Sequence, residues 1–127
     1  MHILEQRIRN AHAEGRTALI PFITAGFPSS EGFRTALADL DNHGADIIEI
    51  GIPFSDPVAD GPVVEEASRR ALAAGVTLGS ILKELRDRPR QHAATVLMGY
   101  LNPILQYGTE NFARDAAAAG VSGCIIP

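Results

Sequence analysis

The chain has 127 residues, of which 46% are hydrophobic and 20% charged, with 11 Lys and Arg against 15 Asp and Glu for a formal net charge of −4. That length suits one domain rather than two, and the apolar content and modest charge exclude a disordered chain. The mild acidity gives no basic footprint for nucleic acid or an anionic membrane, and no apolar run approaches the ~18 residues of a spanning helix. The single cysteine, Cys124, cannot form an internal disulfide. With no basic-then-apolar leader at Met1–Arg7, the reading is a cytoplasmic protein.

In chain order, an opening helix is expected over Ile3–Ala13, followed by a strand at Ala18–Ile23 (ALIPFI). Ser29 or Ser30 then caps a helix whose Phe33, Ala36, Leu37 and Leu40 form one stripe, with Gly44 just past its end. A second strand, Asp46–Gly51 (DIIEIG), leads into a loop marked by prolines and then a helix near Pro62 that stops before Gly75. Thr77 caps a further helix carrying Leu78, Ile81, Leu82 and Leu85 on one face and ended by Pro89. Ala94–Met98 (ATVLM) is the third strand. The last helix runs from about Thr109 to Ala119, with Phe112, Ala116 and Ala119 on one side and Gly120 as its stop. Gly123–Pro127 (GCIIP) is the fourth strand. Continuous β-branched strands alternating with helices predict a parallel sheet covered on both faces, an α/β fold. The helix–glycine–strand joints at Gly44 and Gly120 form a weak internal repeat. A (β/α)8 barrel needs ~250 residues, so residues 1–127 read as the N-terminal half of one barrel domain, holding about four of its strands.

Two carboxylates stand out. Glu49 interrupts an isoleucine strand near its C-terminal end, where barrels build active sites and where a buried charge needs a partner or a task. Either a catalytic role or a structural ion pair would explain it. Asp60 ends the nine-residue loop between Gly51 and Gly61. Helix capping before Pro62 and acid/base work are both open to it. His2, His12, His43 and His92 lack metal-ligand spacing and read as solvated. Cys124 reads as a small buried apolar residue, and Phe22 as core or pocket wall.

The segments PFITAGFP (Pro21–Pro28), GADIIEIGIPFSDPVADGP (Gly44–Pro62), AAGVT (Ala73–Thr77) and LMGYLNPILQYG (Leu97–Gly108) closely resemble the tryptophan synthase alpha-subunit family. The resemblance implies a (β/α)8 TIM barrel and a carbon–carbon lyase. Its reaction is retro-aldol cleavage of indole-3-glycerol phosphate to indole and glyceraldehyde 3-phosphate in tryptophan biosynthesis, with no cofactor and no metal in this subunit. Carried over by motif, Glu49 is the catalytic acid/base. Asp60 is its partner, hydrogen-bonding the indole N–H and stabilising charge that develops on the ring. Phe22 and Leu97 line the indole pocket. Pro53, Asp56, Pro57 and Asn102 face a pyridoxal-phosphate-dependent beta subunit in an alpha2beta2 tetramer. The family's phosphate grip lies in later loops, so residues 1–127 alone should not turn over. Two other readings stand beside this one, a catalytically silent binding or folding module and an indole-releasing relative without a beta partner.

Overall fold

The computed structural model describes residues 1–89 and 91–127. The helices α1 (Ile3–Ala13), α2 (Ser30–Asn42), α3 (Pro62–Ala73), α4 (Leu78–Asp87), α5 (Leu101–Tyr107) and α6 (Thr109–Ala118) are threaded between the strands β1 (Phe22–Thr24), β2 (Ile47–Gly51), β3 (Ala94–Met98) and β4 (Val121–Ile125). The strands form one parallel sheet in the order β1-β2-β3-β4. Each new strand is added beside the last, as in the first half of a (β/α)8 barrel.

Local chemistry sets most of these boundaries. The Ser29 hydroxyl accepts from Gly32 N and so caps α2, while Thr77 and Ser80 form a reciprocal capping box at the start of α4. Gly44, Gly75 and Gly120 follow α2, α3 and α6 with φ of +100°, +90° and +80°, the left-handed conformation that closes a helix cheaply only at glycine.

The expected strand at Ala18–Ile23 shrinks to Phe22–Thr24. Pro21 has no N–H to give, and the Asp46 carboxylate takes Leu19 N–H at 2.8 Å. The Leu19 carbonyl still accepts from Asp46 N and the Pro21 carbonyl from Glu49 N, so this segment runs beside β2 without a full ladder. Asp46 itself stays outside β2. It accepts from the two terminal guanidinium nitrogens of Arg16, Nη1 and Nη2, at 2.8 and 2.9 Å, and this pairing holds its carboxyl below the usual carboxylate range. The fourth strand lies two residues earlier than Gly123–Pro127. It starts immediately after Gly120, with a register irregularity between Thr95 and Val96. The sequence reading also lacked α5, where Pro103 occupies the first turn, a position that needs no N–H from it.

The core divides by sheet face. Ile48, Ile50 and Leu97 pack outward against Phe33 and Leu37 of α2, Leu78, Ile81, Leu82 and Leu85 of α4, and Phe112 and Ala116 of α6. On the inner face Ile47, Ala94 and Val96 form a small cluster covered by Ile3 and Leu4 of α1. The α1 helix thus seals the N-terminal end of that face. The four histidines are exposed, as expected; His2 serves as the cap of α1, its ring accepting from Leu4 N. Cys124 is not the buried residue the sequence suggested, because it sits exposed on the edge strand β4.

Candidate active site

Alternation along parallel strands decides what shares a face with Glu49. Glu49 pairs in register with Phe22 of β1 and Val96 of β3, so the three side chains project to the same side. That side is the inner one, shared with Ile47 and Ala94. Glu49 is half-buried, whereas its isoleucine neighbours on β2 are buried. None of the ion pairs formed among the described residues involves it. A structural ion pair within this half of the sheet therefore does not account for it.

Phe22 is half-buried and in register with Glu49. Its ring leans along the strand over Gly51, since a methyl group there would come within 2.5 Å of Phe22 Cζ. The glycine makes room for the aromatic wall.

Leu97 does not share this face. It pairs with Ile50, is 1% exposed, and belongs to the core between sheet and helices. Its assignment to a pocket around Glu49 is corrected by period-2 alternation. The inward neighbour at that level is the half-buried Met98, which pairs with Gly51.

Asp60 is half-buried at the end of the loop after β2, its N–H donating to Pro57 O at 3.0 Å. The capping explanation fails: the cap of α3 is Gly61, which makes no side-chain cap, and Pro62 is the first helical residue. Asp60 thus lies outside the helix, on a loop rooted at the C-terminal end of β2. The loop is tied at its two ends to β3 and to the residue that caps α5. Ile52 N donates to Met98 O at 2.7 Å, and Ala59 N donates to the Tyr100 hydroxyl at 2.8 Å. Sequence reasoning missed Tyr100, although an aromatic with a polar tip two residues past a strand's C-terminal end was visible.

The four residues assigned to a partner surface separate. Pro53 is buried, Pro57 half-buried, and Asp56 and Asn102 exposed, with the Ser55 hydroxyl donating to Asp56 at 3.2 Å. Pro53 and Asn102 meet in the wall of an open cleft of about 490 Å³ between this loop and the helices α3, α4 and α5; Asp56 and Pro57 do not line it. Neither do Glu49 and Asp60, so the cleft is distinct from the inner face. Among the described residues no group of three or more His, Cys, Asp or Glu side chains is placed to hold a metal ion, and no helix is long and apolar enough to cross a membrane.

Known proteins share both this sequence and this arrangement. Residues 8–127 match the sequence profile of the tryptophan synthase alpha chain. The chain is 64% identical over 128 aligned positions to the tryptophan synthase alpha chain of Desulfovibrio desulfuricans, covering 100% of this chain and 50% of that one. It is 65% identical to that of Nitratidesulfovibrio vulgaris, covering 98% and 49%. The crystal structure of tryptophan synthase subunit alpha from Legionella pneumophila superposes with a TM-score of 0.93 at 40% identity, over 99% of this chain and 49% of that one. Tryptophan synthase from M. tuberculosis, in its aminoacrylate-bound form, gives 0.93 at 38% identity, over 100% and 52%. The chain spans about half the length of the curated relatives it matches. With its matched profile, its identity to these relatives and its four-stranded parallel sheet in barrel order, the chain belongs to the tryptophan synthase alpha-chain family.

Proposed function

We propose that this chain supplies the acid/base half of an active site that cleaves indole-3-glycerol phosphate to indole and glyceraldehyde 3-phosphate. The observation that carries the reading is Glu49, a half-buried carboxylate on the inner face of β2 near its C-terminal end, with no ion-pair partner among the described residues. The reaction asks for one group that protonates indole C3, because the ring leaves only once that carbon is protonated. It also asks for a base that takes the proton of the substrate 3′-hydroxyl as the carbon–carbon bond breaks. Glu49 serves both needs. Asp60, on the loop above, accepts the indole N–H and offsets the positive charge that grows on the ring. Phe22 forms the aromatic wall beside Glu49. The subunit needs no cofactor for this step.

The product indole passes to a beta subunit that carries pyridoxal phosphate, in an alpha2beta2 assembly. The exposed Asp56 and Asn102 and the prolines Pro53 and Pro57 lie toward it. Barrels commonly hold a substrate phosphate after strands seven and eight, so turnover belongs to the full-length chain rather than to residues 1–127. The test is indole release by the full-length alpha chain, with and without the beta subunit. Glu49→Gln should lower it by at least ~10² with the fold intact. A variant that keeps more than about a hundredth of wild-type turnover would remove Glu49 from the chemistry.

A further inference from the structure

The loop that carries Asp60 is nine residues long, and its tip is open to water, with Val58 88% exposed. A loop of this kind does not by itself hold a carboxylate in one place. Tyr100 supplies what is missing. It stands just past the C-terminal end of β3, is 8% exposed, and reaches across 41 residues of sequence to accept the Ala59 N–H at 2.8 Å. Its ring also lies against that of Phe54, centroids 5.3 Å apart and tilted by 30°. One side chain therefore touches the loop near its start and again at the residue before Asp60.

The neighbouring backbone is shaped for the same purpose. A methyl group on Gly99 would come within 2.9 Å of Ile52 Cβ, so the strand exit of β3 and the root of the loop are in direct contact. A buried tyrosine hydroxyl requires a polar partner, and here the partner is the amide next to Asp60.

We propose that Tyr100 is a positioning residue for Asp60, clamping the loop so that the carboxylate stands over the C-terminal end of the sheet. This rests on the reading of Asp60 as a participant in the cleavage. Tyr100 acts through the Ala59 amide and makes no contact with the reacting atoms. Its hydroxyl should therefore matter only while Asp60 has a carboxylate to place.

The experiment is a double-mutant cycle in the full-length alpha chain assembled with its beta subunit, using Tyr100→Phe, Asp60→Asn and the pair. Tyr100→Phe keeps the ring against Phe54 and deletes only the hydroxyl. It should lower kcat for indole release by about 2- to 12-fold, the worth of one such hydrogen bond, with KM changed less than twofold. In the Asp60→Asn background the same change should have no further effect. Hydrogen exchange gives a readout that needs no turnover. The Ala59 amide should be protected in the wild type and exchange faster in Tyr100→Phe, with the β2 and β3 amides unchanged. An equal loss of kcat in both backgrounds, an unprotected Ala59 amide in the wild type, or wild-type kcat in Tyr100→Phe would each overturn the positioning role while leaving Asp60 in place. Full activity in Asp60→Asn alone would overturn the reading of Asp60, and this proposal with it.

Discussion

The contact between Phe22 and Gly51 makes a sharp test of the site, because glycine there answers to a side chain rather than to a turn. A methyl group on Gly51 would lie 2.5 Å from Phe22 Cζ and 3.0 Å from Cε2. Carbon atoms rest comfortably at about 3.5–4.0 Å, so in Gly51→Ala the ring must withdraw by roughly 1 Å. Overpacking of this kind costs about 1–3 kcal/mol, and the lower chain entropy of the unfolded alanine variant returns about 0.4–1 kcal/mol. The expected net loss is about 1–2 kcal/mol in urea unfolding of the full-length alpha chain. The ring withdraws beside Glu49, with which Phe22 is in register. A displacement of that size in a substrate wall can cost up to ~10²-fold in turnover. Phe22→Leu, which has no Cζ, should recover most of the lost stability when combined with Gly51→Ala. A coupling of at least ~1 kcal/mol is expected across that cycle. Additive effects, or a Gly51→Ala chain as stable and active as the wild type, would show that the ring does not lie over the glycine.

Asp46→Asn should flatten the acid limb of the stability–pH curve. The Arg16 pairing lowers the folded-state pKa of Asp46, so its stabilisation is present above the unfolded carboxylate range and is lost as pH falls below about 4 to 5; an unchanged acid limb in denaturation across pH 3–7 would contradict this. Because Gly61 rather than Asp60 caps α3, Asp60→Ala should leave unfolding within about 0.5 kcal/mol of wild type, whereas Thr77→Ala should cost about 1 kcal/mol by removing the capping box. Equal effects of the two on the denaturation midpoint would restore a capping role to Asp60. A polypeptide of residues 1–127 alone should self-associate, since β1 and β4 each keep an open edge and Leu19, Ile20, Ile125 and Ile126 are 42–51% exposed; sedimentation showing a compact monomer would refute it.

The helices were legible because their ends are written in short-range chemistry. Ser29, Thr77 and the glycines at 44, 75 and 120 act within a turn of where they stand. The parallel sheet was legible from runs of isoleucine, and Glu49 from its place among them. The misreadings came where a distant group decided the outcome. Leu19 looks like strand until the Asp46 carboxylate takes its N–H from another element. Pro103 looks like a helix breaker until its place in the first turn of α5 is known. Leu97 was assigned by resemblance alone, and the strand register with β2 turns it outward. Asp60 reads as a helix cap or a catalyst until Gly61 is seen to hold the cap position. Tyr100 could not be weighed without knowing that it meets Ala59, 41 residues away in the chain.

The α1 helix, laid against β3 and β4 beneath the inner face, has a consequence for how the chain is made. Its Ile3 and Leu4 have only Ile47 of their binding surface until Ala94 and Val96 have been synthesised and paired. Roughly 90 residues must leave the ribosome in the interval, which takes about 5–20 s at ordinary elongation rates. During that time the first helix is an unsatisfied amphipathic segment, available to a chaperone, while the α2-to-α4 layer can already close over β2. This helix, synthesised before the strands it covers, is thus among the last elements of this half to find its place.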